Sequence, residues 1–456
     1  MSTEGYDNGA MEHGARIRRS LMLSVVDGAF YAAMVGFGES FFVAYAVYLG
    51  ANNIHIGLLG SIPQALASFA QVASGRLIHL FRTRKRLVLA GVFLQALMFI
   101  PICLSGYAGV AAIGLLITSV TLYWVFGMSA GPAWNSWMGD LTEHAERASY
   151  FGKRSTIAGL ATFVTMLAGG YVLQRFTDSA AGQLLGFVCI FGLAFICRML
   201  SLASLAGKYE PAYRSEEERT SSAVSIMRDE GLGNFRSFVL FLSLMSLSVN
   251  LSAPFFTPYM LKDLGFDYMT FTVINSAAII AKLLSMPLWG RVADRHGSRS
   301  VFSAMGFLLP VIPVLWVFMD DVWQILLLQL FAGVVWGGYE VASFSFMLDI
   351  TRPKERISCV AYYNLMNGLA VFAGAMLGGL IVRYNDIFWS KYLLVFAVSG
   401  AMRLAVSIVL VSRIREVRTV KHISYQEMFV RAITTVPTRG IVYALMLVRG
   451  KGGRQK

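Results

Sequence analysis

The stretch GRVADRHGSRS, Gly290 to Ser300, packs four charges and two glycines into eleven residues between two apolar runs, Phe271 to Leu288 and Val301 to Met319. Each flanking run is long enough to cross a bilayer as a helix, which needs about 20 apolar residues. A polar turn this short between two such runs makes the flanking helices antiparallel neighbours that meet on one side of the membrane.

Working outward, membrane-length apolar segments are expected near 21–49, 54–80, 86–106, 109–138, 150–173, 182–206, 236–261, 268–289, 300–319, 322–348, 358–382 and 390–412. The predicted class is an all-α polytopic membrane protein with twelve transmembrane helices. A chain that is 56% hydrophobic and 14% charged, with mean hydropathy +0.60, is far more apolar than an ordinary soluble domain. A barrel would need alternating strands of about 10 residues, whereas these runs are continuous and twice that length.

The net charge of +13 reports topology. Of 39 Lys and Arg, four are placed outside (Arg175, Lys262, Arg383, Lys391), three lie in spans (Arg198, Lys282, Arg403), and the remaining 32 fall on the side of the amino terminus. The positive-inside rule therefore puts both termini in the cytoplasm of an inner membrane, and the basic balance requires no nucleic acid. Cys103, Cys189, Cys197 and Cys359 lie in or beside apolar runs without CxxC spacing and read as small buried residues. The first apolar run is too long for a signal-peptide core and is expected to remain as helix one.

The chain repeats itself. Asp140 and Arg147 stand 209 residues before Asp349 and Arg356, as does Gly169-Gly170 before Gly378-Gly379 and Gly159 before Gly368. An offset of 215 relates Leu49-Gly50 to Leu264-Gly265 and Gly75 to Gly290, and 205 relates Arg198 to Arg403. Gly75-Arg-Leu-Ile-His79, followed by Arg82, Arg84, Lys85 and Arg86, is thus the first copy of the opening stretch, with His79 where the second has Asp294. This duplication predicts a cytoplasmic tail 1–20, six-helix bundles 21–207 and 236–412, a cytoplasmic linker 208–235, and a basic amphipathic tail 413–456. The spacing Ser424 to Glu427 has the form of a capping box in that tail.

Gly290, Asp294, Arg295, Gly297 and Arg299 resemble the signature of the major facilitator superfamily, which joins helices two and three and recurs between eight and nine. The acid and arginine of Asp140 with Arg147, and of Asp349 with Arg356, resemble the same family's second charged motif. The resemblance implies two bundles related by a pseudo-twofold axis, alternating access, a monomer, and a cavity lined by helices one, four, seven and ten beside two, five, eight and eleven. The motif charges Gly75, His79, Arg84, Asp140, Arg147, Gly290, Asp294, Arg295, Gly297, Arg299, Asp349 and Arg356 are then expected to gate the cytoplasmic face. Alternatively they are interfacial ion pairs worth about 0 to 1 kcal/mol each. His79 leaves the first copy short of a carboxylate, and reads either as a pH-sensitive element or as a solvated loop histidine.

Residues present in both halves should serve packing and mechanics, and unmatched residues should serve an asymmetric solute. By this rule the duplicated Arg198 and Arg403 are read as snorkelling to headgroups, with a buried structural pair as the alternative. The unmatched intramembrane charges Asp27, Glu39, Lys282 and Glu340 are candidates for solute binding or proton coupling, since a charge in a membrane helix is costly. Glu39 and Glu340 are the proton candidates, and Lys282 reads either as an anion ligand or as the partner of one acid. Tyr31, Asn250, Asn364, Asn367 and Trp336 offer hydrogen bonds and aromatic walls. Counting 100° per residue puts Glu39 on one face of helix one with Gly28, Ala32, Val35 and Ala46. Asp27, Tyr31, Met34, Gly38 and Tyr45 fall on another.

These features predict secondary active transport of a small organic solute, coupled to protons. Efflux of lipophilic compounds and a non-transporting membrane sensor are the competing readings. No nucleophile and base pair, metal-ligand cluster or phosphate loop is legible, so no enzyme, metal or cofactor is expected.

Overall fold

The structure is a computed structural model that describes residues 3–72, 74–142, 147–177, 179–211, 232–351, 356–388 and 390–417. The linker from 212 to 231, with its Ser215–Glu218 run, and the tail from 418, with its proposed capping box, lie outside the described residues. Among the described residues the secondary structure is helical throughout. In lipid only a helix or a closed barrel satisfies every backbone N–H and C=O, and continuous apolar runs select the helix.

Among the described residues eleven helices are long and apolar enough to span: Gly14–Tyr48, Arg84–Ser105, Gly109–Leu141, Tyr150–Arg175, Ala180–Ala206, Gly233–Asp263, Tyr268–His296, Ser298–Trp316, Val322–Ile350, Tyr362–Tyr384 and Leu393–Arg413. Between the first two lie Asn53–Val72 and Ser74–Phe81. This second helix is less apolar because Ser61, Gln64, Ser68 and Gln71 punctuate it. Helices are numbered below by this order, one to twelve. The first helix begins at Thr3, so the stretch expected as a tail up to residue 20 is helical from that point.

The residues group into two compact units, Met1–Tyr45 with Leu66–Glu217, and Ala46–Ala65 with Glu218–Lys456. The segment 46–65 therefore belongs to the second unit, where Tyr392 donates its hydroxyl to Asn53 Oδ1 at 3.0 Å and Lys262 Nζ donates to the Ala51 carbonyl at 3.2 Å. Inside each unit the same pairings recur. Helix one packs on five and six as seven packs on eleven and twelve, and three packs on four and six as nine packs on ten and twelve. The sequence repeat is thus a repeat of packing.

Small residues make these contacts close, as expected where no hydrophobic force drives helices together in lipid. A side chain on Gly378 would collide with the Leu251 carbonyl, one on Gly374 with that of Leu247, and one on Gly36 with Thr165. Gly169 lies under the Phe41 ring, where an added Cβ would sit 2.7 Å away.

The turns repeat as well. Gly50 and Gly265 have φ of +80° and +65° at the matched position between the first two helices of each half. The charged stretch Gly290 to Ser300 differs from its expected form: Arg291 to His296 continues helix eight, and the reversal is made at Gly297 alone, with φ +88°. A glycine in a left-handed conformation turns the chain without a loop, and its N–H closes the helix on the Ala293 carbonyl at 2.9 Å. The matching residue 215 positions earlier is Arg82, which holds φ +65° with a side chain. Left-handed backbone costs an L-residue roughly 1 kcal/mol or more, so Arg82→Gly is expected to raise the thermal unfolding midpoint. A lowered midpoint in the purified protein would show that the Arg82 side chain stabilises this turn by more than its backbone strain costs.

Candidate functional site

Helical periodicity assembles a charged cavity inside the first unit. Asp27 and Tyr31 share a face of helix one. Val88, Val92 and Gln95 come from helix three, and Trp124, Gly127, Met128, Gly131, Trp134 and Asn135 from helix four. Arg154 of helix five and Arg198 and Leu205 of helix six complete a space of about 250 Å³. The steps of three, four and seven residues along each helix bring these side chains to one line.

Its charges form a relay. Arg198 Nη1 donates to Ser201 Oγ at 3.1 Å, and Ser201 Oγ donates to Asp27 Oδ1 at 2.7 Å. The other Asp27 oxygen lies 3.6 Å from Arg154 Nη2. Arg198 Nη2 donates to Gln95 Oε1 at 2.5 Å, and Arg154 Nε donates to the Ser24 carbonyl at 3.0 Å. The guanidinium carbon of Arg198 sits 4.8 Å from the Tyr31 ring centre, and that of Arg154 sits 4.5 Å from Trp134. A cation over an aromatic face recovers part of what it loses on leaving water. Glycines make the room: Gly28 faces the Arg154 guanidinium, and Gly127 faces the Gln95 amide.

Arg198 therefore does not snorkel. It is only 5% exposed and points inward, because Ser201, one turn along its own helix, and Gln95 on helix three offer it partners at that depth. Its duplicate Arg403 is likewise buried, donating to the Leu309 carbonyl at 3.2 Å and to Ser252 Oγ at 3.0 Å. Both arginines are better satisfied by fixed acceptors than by a long reach to the headgroups.

Lys208 lies just beyond helix six, buried, its Nζ 4.8 Å from the Trp137 ring centre and 5.6 Å from that of Trp134. Burial pushes its ammonium down to about 8, with Arg154 and Lys85 acting in the same direction and Asp27 against them. The backbone beside it is fixed by Trp137 Nε1 donating to the Tyr209 carbonyl and Tyr209 N–H donating to Ser20 Oγ, both at 2.9 Å.

Glu39 does not line this cavity, although it interacts electrostatically with Tyr31 and Arg198 of the lining. The helix breaks at Gly38, and Glu39–Phe41 form a 3-10 turn, so the 100° count does not carry across it. Tyr123 donates its hydroxyl to Glu39 Oε1 at 2.7 Å and lies 3.3 Å from the sulfur of Met34. Phe42 and Phe99 stand edge-on to Tyr123, and Phe191 packs against both of them.

In the second unit Lys282 of helix eight and Glu340 of helix ten form an ion pair, Nζ to Oε1 3.1 Å, with side chains 34% and 43% exposed. Gly333 and Gly337 let the helices meet there: a Cβ on either would press on Ala281, Lys282 or Ser285. Asn250 Nδ2 donates to the Ser246 carbonyl of its own helix at 2.9 Å. Trp336 stands edge-on to Tyr339 at 5.8 Å. Asn364 is half-buried, and the Oδ1 of Asn367 is buried without a hydrogen bond.

The motif residues grip helix ends. Arg84, fully buried, donates to Asp140 Oδ2 at 2.6 Å, Ser136 Oγ at 3.0 Å and the Pro211 carbonyl at 3.3 Å, with Glu210 at 3.6 Å. Arg299, its duplicate, donates to the Ile414 carbonyl at 2.6 Å and the Val411 carbonyl at 3.4 Å, while its N–H donates to Glu416 Oε2 at 3.0 Å. Each arginine ties the start of the third or ninth helix to the chain leaving the sixth or twelfth. Both partners of each contact lie within one unit. Asp294 and Arg295 are exposed on the last turn of helix eight, Gly290 lies near Val341, and Asp349 is half-buried. The side chains of His79, Arg147 and Arg356, and the packing at Gly75, lie outside what is described.

Comparison with known proteins agrees with this architecture. Residues 28–233 and 236–448 match the Major Facilitator Superfamily. Human (Homo sapiens) solute carrier family 67 member A1 is 26% identical over 171 residues, 33% of this chain and 38% of that protein. The multidrug resistance protein MdtG of Dickeya zeae (strain Ech586) is 30% identical over 112 residues, 25% of this chain and 26% of that one. The chain thus spans about a quarter to two-fifths of the length of these curated relatives. Among solved structures, a single-site mutant of the nucleoside transporter NupG superposes with TM-score 0.70 at 12% identity, covering 87% of this chain and all (100%) of that one. A bacterial homologue of the human lysosomal transporter Spinster gives TM-score 0.57 at 12% identity, covering 94% and 98%. At that identity the likeness is one of fold. With both halves matched in order and the packing of one half repeated in the other, the chain belongs to the major facilitator superfamily.

Proposed function

We propose that this superfamily transporter is a secondary active permease of an inner membrane, moving a small organic solute by alternating access with protons as the coupling ion. The observation that carries this reading is the cavity of Asp27, Arg154 and Arg198 among membrane-length helices. Ionic side chains at such depth are expensive and serve solute or ion pathways by default. The Lys282–Glu340 pair is a second such place on helices eight and ten.

Glu39 is the proposed proton carrier. It is a carboxyl on an interrupted stretch of helix, held by one tyrosine hydroxyl beside an aromatic cluster. An ionisable side chain so placed in a membrane helix serves an ion pathway by default, and alternating access would expose it to each side in turn. Uptake by proteoliposomes under an imposed pH gradient tests this. The wild type is expected to respond to the gradient, and Glu39→Gln to keep solute exchange while losing the response. A Glu39→Gln protein that still concentrates solute with the gradient would remove Glu39 from the coupling path.

Efflux of lipophilic compounds is a second reading, favoured by the Tyr31, Trp124 and Trp134 walls of the cavity and by relatives named for multidrug resistance and export. Transport of neutral lipophilic dyes outward, unaffected by changes to Asp27 or Arg154, would select it.

A further inference from the structure

We infer that the cavity of the first unit binds the anionic group of a small, planar organic acid, with Arg198 as the ligand of that group; this rests on reading the chain as a solute transporter. Arg198 lines the cavity and is buried, yet the groups it hydrogen-bonds or stacks on are neutral: Ser201 Oγ, Gln95 Oε1 and the Tyr31 ring. Among the described residues its Nε–H has no acceptor. A guanidinium carries five N–H donors in a fixed fork suited to a carboxylate or phosphate, and the hydrogen bonds to Ser201 and Gln95 use two of them.

The nearby acid does not fill that role. Asp27 takes its hydrogen bond from Ser201 and faces Arg154. The cavity lining therefore holds two guanidinium groups and one carboxylate, an excess of one positive charge. Glu39 is not in the lining and is bonded to Tyr123. Among the described residues no carboxylate hydrogen-bonds Arg198, although Glu39 acts on it electrostatically, and an incoming anion supplies that direct pairing.

The duplicate arginine supplies the contrast. Arg403 is also buried among neutral acceptors, Leu309 O and Ser252 Oγ, and its Nε–H likewise lacks one among the described residues, but it does not line this cavity. A purely structural arginine needs no space in front of it. At Arg198 there is about 250 Å³ between Trp124 and Trp134, just under the range of about 300 to 1,000 Å³ typical of small-molecule sites. That volume and those flat walls suit a one-ring body bearing a single anionic group.

The test uses the full-length protein in lipid nanodiscs and three isosteric probes: benzoate, benzamide and benzylamine. Binding is read as the rise in melting temperature with probe concentration, because a ligand of the folded state stabilises by mass action. Benzoate is expected to give a saturable rise, and the neutral and cationic probes none. Arg198→Lys is expected to weaken benzoate at least tenfold, since the fork is replaced by a point charge, and Arg403→Lys to leave its affinity unchanged. Benzamide or benzylamine binding as well as benzoate overturns the proposal, and so does an absence of benzoate binding. These comparisons stand on the wild type even where an Arg198 variant fails to fold. Saturable benzoate binding without uptake in vesicles upholds the anion site while removing the transport reading, so the two fail separately.

Discussion

Replacing Arg84 with methionine is expected to destabilise the protein by roughly 3 kcal/mol, the lower end of the range for removing one partner of a buried ion pair. The side chain is fully buried and joins three pieces of chain: the start of helix three, the end of helix four at Ser136 and Asp140, and the Glu210–Pro211 segment after helix six. Methionine of similar reach keeps much of the packing but leaves the Pro211 carbonyl and the Ser136 hydroxyl without this donor. Asp140 is 48% exposed and regains water, which holds the loss below the top of the range. Arg299→Met is expected to cost less, because Arg299 is itself partly exposed and its side-chain hydrogen bonds go to backbone carbonyls at the end of helix twelve. Thermal or denaturant unfolding of both variants in one detergent decides the matter. If the two lose equally, or Arg84→Met loses under about 0.5 kcal/mol, as exposed ion pairs do, the clamp is not what holds this end of the unit.

The same arginine shows what a sequence can carry. Its place in a repeated charged motif was legible from the 215-residue offset to Arg299, and so was the acid at Asp140. Which atoms meet was not. The motif reads as a gate, whereas Arg84 and Asp140 meet within one unit and tie its own helices together. Periodicity also found the spans, since apolar length alone decides them, and the duplication followed from matched glycines whose packing role survives in Gly169 and Gly378.

The cavity was half legible. Asp27 and Tyr31 stand out as polar residues in an apolar helix, and Lys282 and Glu340 stand out in the same way. Arg154 was hidden because it ends the basic run Lys153-Arg154 and resembles an ordinary positive-inside anchor. Arg198 was hidden by the rule that duplicated residues are scaffold. Duplication preserves a residue, but each copy then acquires its own neighbours: Ser201 and Gln95 for one arginine, Ser252 and the Leu309 carbonyl for the other. The available signal was glycine. Gly28 and Gly127 sit in spans where no helix-packing repeat requires them, and each clears space for one polar side chain of the cavity.

Glu340→Gln is expected to destabilise the second unit by roughly 2 kcal/mol, somewhat below the ~2.5–3.5 kcal/mol of an unpaired lysine at a helix centre, because Lys282 is 34% exposed and keeps some access to water. Lys282→Gln should lose a similar amount by orphaning the acid. The double variant Lys282→Gln with Glu340→Gln then recovers most of the stability, giving a coupling energy of about 3 kcal/mol, well above the ~0.5 kcal/mol within which independent sites add. Transport separates the two roles the pair can have. A scaffold pair returns to near wild-type uptake once both charges are gone, because helices eight and ten still meet across Gly333 and Gly337. A pair that handles solute or protons stays inactive with its stability restored, and that is the expected result. Additive losses from the single variants would mean that the two side chains are separately solvated, and the 3.1 Å contact would then carry neither fold nor function.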